Sequence, residues 1–126
     1  MNVALIIYVA LGGALGSVAR FLLSHAVHRY AAAGFPYGTF TVNIIGCAAF
    51  GVIIGFAEHR IDLTPAVRAF FLVGILGGFT TFSAFTFDTI ELLRTAAFLR
   101  AAINILGQIT IGLAALWLGY VVAKLV

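Results

Sequence analysis

Four long apolar stretches, almost free of charge, constrain this chain more than any other feature. They span about residues 3–23, 38–57, 69–87 and 101–123, and Arg20 is the one charged residue inside them. A helix needs about 20 mostly apolar residues to cross the roughly 30 Å hydrocarbon core of a bilayer. Charged residues make up only 9% of the chain, against about 25% in soluble domains. We therefore predict an all-α membrane protein, a single domain over residues 1–126 with four transmembrane helices and the lipid bilayer as its solvent.

The first stretch is expected to remain as a membrane helix. It lacks the basic n-region of a signal peptide, and it is longer than the usual stretch of about 7–15 apolar residues. The net charge of +3 does not indicate a nucleic-acid partner, because the basic residues stand singly near helix ends, where they extend to the membrane surface. Cys47 is the only cysteine, so no intrachain disulfide forms, and we interpret it as a small packing residue.

The basic residues are divided almost equally between the two sides of the predicted helices. They are Arg60, Arg68 and Lys124 on the side of both termini, and Arg29, Arg94 and Arg100 on the other, with Arg20 towards that second side. An excess of Lys and Arg on one side normally sets the orientation of a membrane protein. Because this chain has almost no excess, we expect it to insert in both orientations and to pair as an antiparallel, dual-topology homodimer.

Small residues are spaced for close helix packing. Three G-x-x-x-G pairs lie inside apolar stretches, namely Gly12 with Gly16, Gly51 with Gly55, and Gly74 with Gly78. Such pairs let helix backbones approach each other closely. We interpret them as packing positions.

The third stretch is polar at its centre, where lipid favours leucine. The pair Gly77-Gly78 is followed by Thr80, Thr81 and Ser83. Irregular backbone at this depth is tolerated only where protein or a water-filled cavity satisfies its polar groups. Two structures fit this composition, an intact helix packed through its small residues and a helix broken at its centre. Broken helices present unwound carbonyls to cations, so carbonyls from both copies of an antiparallel dimer could coordinate one monovalent cation.

Aromatic and charged side chains within the stretches admit two interpretations each. Phe79, Phe82 and Phe85 recur every three residues, which gives a drifting stripe on a helix. The stripe serves either packing or contact with a dehydrated anion, since the edge of an aromatic ring is electropositive and conduction requires weak binding. Arg20 either extends to the surface or attracts anions.

Amides and hydroxyls also occur inside the second and fourth stretches. They are Thr39, Asn43, Asn104 and Gln108, the last two at i and i+4. These groups can donate hydrogen bonds to an anion, and they can equally join helices to one another. The residues alone are compatible with both roles, contact with an anion and contact between helices.

Three segments resemble the signature stretches of the Fluc fluoride channels, also called CrcB proteins. They are Gly12-Gly-Ala-Leu-Gly-Ser-Val-Ala-Arg20-Phe, Gly38-Thr-Phe-Thr-Val-Asn43-Ile-Ile-Gly46 and Gly77-Gly-Phe-Thr-Thr-Phe-Ser-Ala-Phe85. Their order and spacing match over nearly the whole chain, although Phe21 stands where Tyr is expected and the fourth stretch carries no matching motif. The resemblance implies a passive, fluoride-selective channel, multi-pass in the bacterial inner membrane, that exports fluoride ion and reduces its toxicity without an enzymatic step.

The resemblance also implies an assembly and a set of site residues. The assembly is an antiparallel homodimer with two fluoride pores and a central structural sodium ion. The implied pore residues are Phe82, Phe85, Asn43, Ser83, Thr39, Thr81 and Arg20, and the implied sodium ligands are the backbone carbonyls of Gly77 and Thr80.

Two other functions would need features that this sequence lacks. A small proton-coupled multidrug exporter also has four helices, but it needs a membrane-buried carboxylate. The four acids, Glu58, Asp62, Asp88 and Glu91, are predicted in or beside loops. A membrane enzyme or metal protein could use His25 and His28 at i and i+3, yet no constellation of buried acid, base and nucleophile accompanies them.

Overall fold

The structure is a computed structural model that describes residues 2–60 and 62–126, and helices are the only regular secondary structure in these residues. They are α1 (Val3–Tyr30), α2 (Tyr37–His59), α3 (residues 65–79), α4 (Phe82–Arg94) and α5 (Phe98–Leu125). Helix α3 is composite. It is α-helical at Pro65–Val67 and Gly77–Phe79, and the segment Arg68–Leu76 between them is wound as a π-helix.

Four helical segments are long and apolar enough to cross a membrane. They are Val3–Tyr30, Tyr37–Glu58, Pro65–Arg94, which joins α3 and α4, and Phe98–Leu125. Most large apolar side chains lie on the outside of the chain, and the largest fully buried side chains are Val42 and Asn104. An apolar exterior is what a chain surrounded by lipid requires. The predicted all-helical fold with four long apolar helices is confirmed, and the chain is a multi-pass membrane protein.

The helices continue beyond the apolar stretches from which they were predicted. Helix α1 runs to Tyr30, so its 28 residues measure about 42 Å, more than the roughly 30 Å of the hydrocarbon core. Asp88 and Glu91, predicted in or beside a loop, lie on α4, where Glu91 forms an ion pair with Arg94 at 2.7 Å. Hydropathy marks only the apolar part of a span, because a helix continues through the membrane surface with charged residues.

Two helix pairs form the main contacts of the fold. Helix α2 packs against α5 and α1 packs against α3. A Cβ atom on Gly51 would overlap the carbonyl of Leu116, and one on Gly16 would overlap the carbonyl of Ile75. A Cβ on Gly13, by contrast, would have nothing within 4 Å. The close approach predicted from the glycine pairs is therefore confirmed at these contacts.

Polar contacts fasten α2 to α5 at both ends. At one end, Arg100 donates from Nη1 to the carbonyl of Gly34 at 3.1 Å, in a connection where Gly34 adopts a φ of +99°. At the other end, the Tyr120 hydroxyl donates to Glu58 Oε2 at 2.6 Å, and Lys124 Nζ lies 2.9 Å from the same oxygen. The register of α5 against α2 is thus fixed both by glycine contacts and by these end contacts.

Helical conformation stops between α3 and α4. Thr80 has φ −81° and ψ 155°, and Thr81 has φ −149° and ψ 117°, so both residues are extended. The Thr81 hydroxyl accepts a hydrogen bond from the N–H of Ala84 at 3.2 Å and caps α4, as threonine commonly does at a helix start. Gly77 and Gly78 themselves are helical. We call the extended pair Thr80-Thr81 the link.

Candidate functional site

An open cavity of about 380 Å³ surrounds the link. Its walls come from α2, the end of α3, the start of α4 and the middle of α5. Six of the nine predicted site residues line it, namely Asn43, Gly77, Thr80, Thr81, Phe82 and Phe85. We call this cavity the central groove. The fold therefore brings most of the residues that the sequence singled out to one place.

Asn43 holds the link in position. Its Oδ1 accepts from the Thr81 N–H at 2.8 Å, and its Nδ2 donates to the Thr81 carbonyl at 3.0 Å. Both polar groups of one extended residue are thus satisfied by a single side chain from α2. Buried peptide groups need such partners, because an unpaired group inside a membrane is costly.

The link diverts two hydrogen bonds from the helical pattern. In a continuous helix, the N–H of Thr81 would donate to the carbonyl of Gly77, and that of Ala84 to the carbonyl of Thr80. Here the Thr81 N–H donates to Asn43, and the Ala84 N–H donates to the Thr81 hydroxyl. The carbonyls of Gly77 and Thr80 therefore do not receive their usual helical donors. Gly77 is also open on its side-chain face, where a Cβ would meet only the Leu72 carbonyl, at 3.8 Å.

The amides of α5 are connected to Asn43. Asn43 Nδ2 donates to Gln108 Oε1 at 2.7 Å, and Gln108 Nε2 donates to Asn104 Oδ1 at 2.9 Å. Asn104 is completely buried and donates to the hydroxyl of Thr89 on α4 at 3.0 Å. Asn104 and Gln108 thus join helices in this structure, and Gln108 also lines the central groove. The i and i+4 spacing of the two residues was the signal in the sequence, but it did not reveal their partners.

The phenylalanines of the predicted stripe divide between two environments. Phe82 is 79% exposed and Phe85 is half-buried, and both line the central groove with ring centroids 5.5 Å apart. Phe79 is half-buried beside Gly46 of α2 and does not itself line the groove. The link lies between Phe79 and Phe82 and interrupts the helical register there.

A second cavity, of about 400 Å³, lies between α1 and the link and is lined by three basic side chains of α1. It is lined by Arg20, His25, His28, Thr39 and Thr81, among others. Because α1 continues to Tyr30, Arg20 lies well inside the helix, about 15 Å before its end. We call this cavity the basic cleft. Thr81 lines both cavities, so the basic cleft and the central groove meet at the link.

Ser83, the remaining predicted site residue, is exposed and lies outside the lining of both cavities. Its hydroxyl is 3.3 Å from the hydroxyl of Thr81. The described residues contain no group of three or more His, Cys, Asp or Glu side chains that could hold a metal ion. Cys47, assigned to packing from the sequence, also lines the central groove.

Comparison with known proteins places this arrangement in a family. A family model described as CrcB-like protein, Camphor Resistance (CrcB), matches residues 7–120. A protein of Nitratidesulfovibrio vulgaris strain Miyazaki F named fluoride-specific ion channel FluC is 48% identical over 121 residues, which cover 96% of this chain and 98% of that protein.

Proteins with the same name from two other bacteria are similar over comparable lengths. The protein of Methylobacillus flagellatus is 46% identical over 121 residues, 95% of this chain and 94% of the relative. That of Flavobacterium psychrophilum is 41% identical over 119 residues, 94% of this chain and 96% of the relative. This chain therefore belongs to the CrcB family.

Proposed function

We infer that this chain is the subunit of a passive, fluoride-selective ion channel. The observation that carries the inference is similarity over almost the full length to relatives named fluoride-specific ion channel FluC. The family membership gives no support to the multidrug exporter. In addition, Glu58 and Glu91 form ion pairs at helix ends, and Asp88 lines a cavity near Arg100 instead of the central groove.

Fluoride conduction requires weak contacts that replace the hydration shell of the ion. We propose that Phe82 and Phe85 meet the ion with their electropositive ring edges and that Asn43 supplies an amide N–H. Arg20 would raise the local anion concentration in the basic cleft. Thr39, Thr81 and Ser83 would offer hydroxyl groups along the route. The assignment is supported by the positions of these residues, since all of them except Ser83 line one of the two cavities.

We propose that two copies assemble as an antiparallel homodimer. The central groove is open, and Phe82 in its lining has 79% of its surface exposed. A second copy seated on this groove would enclose the ion route. The even distribution of basic residues supports insertion in both orientations.

Labelling from outside the cell tests dual topology. A Tyr30→Cys variant in a Cys47→Ser background carries one cysteine at the end of α1, where Tyr30 is 85% exposed. We expect a membrane-impermeant maleimide to label roughly half of the molecules, since charge bias does not select one orientation. Labelling of all molecules, or of none until the cells are permeabilised, would contradict the antiparallel dimer.

A structural sodium ion at the dimer centre is a further proposal. The carbonyls of Gly77 and Thr80 lack their helical donors, and Gly77 is open to the central groove, so both oxygens suit a hard monovalent cation. A bound sodium ion would neutralise carbonyl dipoles brought together by the two copies.

The proposed channel belongs in the bacterial inner membrane. Fluoride crosses membranes as its neutral acid and dissociates inside the cell, where it becomes a trapped anion. A selective passive pathway lets the anion leave, driven by the inside-negative potential, and so reduces its toxicity. No chemical conversion is part of this role.

Ion efflux from liposomes tests the proposed function. Vesicles that contain the purified protein are loaded with potassium fluoride or potassium chloride, and ion-selective electrodes record anion release after a potassium ionophore is added. We expect rapid fluoride loss and negligible chloride loss. A Phe82→Leu variant should lose at least about tenfold in fluoride efflux because leucine has no ring edge. Its matched control is Phe98→Leu, since Phe98 is 66% exposed at the start of α5 and away from both cavities.

The absence of fluoride loss from folded protein would overturn the channel function. Equal loss of fluoride and chloride would remove the selectivity. If Phe82→Leu and Phe98→Leu had the same efflux, the phenylalanine assignment alone would be wrong.

A further inference from the structure

Polar side chains that line the central groove or lie behind it form a series of hydrogen bonds that all run in one direction. Donation runs from Asn43 to Gln108, both of which line the groove, then from Gln108 to the buried Asn104 and from Asn104 to Thr89, at 2.7, 2.9 and 3.0 Å. The Thr89 hydroxyl completes the series by donating to the Phe85 carbonyl at 2.8 Å. We call Asn43, Gln108, Asn104 and Thr89 the amide chain.

In this arrangement Asn43 has no N–H left for an ion. A carboxamide carries two N–H donors, and here one donates to the Thr81 carbonyl while the other donates to Gln108 Oε1. The carboxamide of Asn43 cannot turn over, because its Oδ1 accepts from the Thr81 N–H at the same time. The N–H that Gln108 now receives is the one assigned to the anion, because the other N–H belongs to the paired contact with Thr81.

Loss of that N–H would leave Gln108 Oε1 without its donor and beside a negative charge, which is unfavourable. The conflict disappears if the Gln108 carboxamide turns over and presents Nε2 to the groove. Asn104 then turns as well, so that it donates to Gln108 and accepts from Thr89. The Thr89 hydroxyl can make this change because a hydroxyl both donates and accepts, and it rotates freely.

A count of hydrogen bonds shows when the reversed chain is favourable. The observed direction has four bonds in the amide chain. The reversed direction has two bonds without an anion, from Asn104 to Gln108 and from Thr89 to Asn104. It has four when an anion accepts from both Asn43 and Gln108. The N–H groups that lose their partners in the reversed, anion-free chain belong to Asn43 and Gln108, and both residues line the central groove, where an anion can accept from both.

We propose that an anion arriving in the central groove reverses the amide chain, and that Thr89 is the positioning residue that holds the resting direction. This inference rests on the proposed function, because fluoride is the anion expected there. It assigns Gln108 a donor role only in the ion-bound state. It also accounts for the contact between Gln108, which lines the groove, and the buried Asn104 behind it.

The sequence provides a direct probe, because Gln108 is the only glutamine in the chain. Protein labelled with ¹⁵N-glutamine gives one pair of side-chain amide N–H signals in a bilayer sample. We expect sodium fluoride, but not sodium chloride, to shift these signals in a saturable manner as Nε2 moves from Asn104 to the ion. Signals that do not move at saturating fluoride, in a preparation that conducts fluoride, would overturn the inference and leave the proposed function intact.

Thr89→Val provides a second, independent test. In the observed direction the variant loses the bonds of Thr89 with Asn104 and with the Phe85 carbonyl. In the reversed, anion-bound direction it loses only the bond with Asn104. The observed direction is therefore weakened by one hydrogen bond more than the reversed direction. We expect its fluoride-free Gln108 signals to lie part of the way towards the fluoride-bound position and its half-saturating fluoride concentration to fall by about tenfold. Thr89→Ser should behave as the wild type does.

The matched control is Thr110→Val, because Thr110 is exposed on α5 and donates only to the Leu106 carbonyl of its own helix. A purely structural role for Thr89 would lower stability without moving the Gln108 signals along the fluoride titration. A half-saturating concentration that rises in Thr89→Val would contradict the proposed direction. If wild-type vesicles released no fluoride at all, the proposed function itself would fail.

Discussion

Replacement of Asn43 by leucine is expected to reduce fluoride efflux by roughly a hundredfold. Leucine has a similar size but removes both contacts with Thr81 and the amide N–H near the central groove. A hydrogen bond to a charged group contributes about 1.5–3 kcal/mol, and about 2.7 kcal/mol corresponds to a hundredfold change in an equilibrium constant. The measurement is the initial rate of fluoride release from liposomes at equal protein content.

A second variant of Asn43 and a control on the same helix separate ion recognition from positioning of the link. Asn43→Asp keeps an oxygen that accepts from the Thr81 N–H but removes the N–H donors, so we expect a loss as large as that of Asn43→Leu. Ile45→Val is the control, since Ile45 lies on the same helix and is 45% exposed. Normal efflux through Asn43→Asp would show that the amide donors of Asn43 are unnecessary.

The second large effect is expected at the contact between α1 and α3. A Gly16→Ala change places a methyl group on the carbonyl of Ile75, and neither rigid backbone can move without separating the helices. Overpacking of this kind costs about 1–3 kcal/mol. Gly13→Ala is the control, because its Cβ has open space and alanine favours a helix by up to about 1 kcal/mol.

Unfolding in mixed micelles with increasing denaturing detergent measures both changes. We expect Gly16→Ala to unfold at a clearly lower detergent fraction than the wild type, and Gly13→Ala to unfold at the same fraction or a higher one. Equal behaviour of the two variants would mean that α1 and α3 do not touch at Gly16 in the membrane.

The spans and their packing glycines were predictable because each depends on one local property. A bilayer selects about 20 apolar residues regardless of tertiary contacts, and spaced glycines mark close contacts between helices. Helix ends were less predictable. Asp88 and Glu91 lie on α4, and no hydropathy pattern distinguishes a charged helix end from a charged connection.

The residues of the site were more predictable than the hydrogen bonds between them. The polarity of the third stretch identified the region of the link, but the extended residues are Thr80 and Thr81, which follow Gly77-Gly78. The position of the link depends on Asn43, which is distant in sequence and satisfies both polar groups of Thr81. The contacts among Gln108, Asn104 and Thr89 likewise require the packed arrangement of α4 and α5.

The glycine contacts also limit which substitutions this sequence can accept during evolution. Glycine is the smallest residue, so every codon change that replaces Gly16 or Gly51 adds at least one carbon where a carbonyl of the facing helix already lies. No residue smaller than glycine exists that could occupy the position while the partner helix changes. A mutational scan should therefore find these positions intolerant of all nineteen alternatives, while Gly13, one residue beyond Gly12, accepts small substitutions.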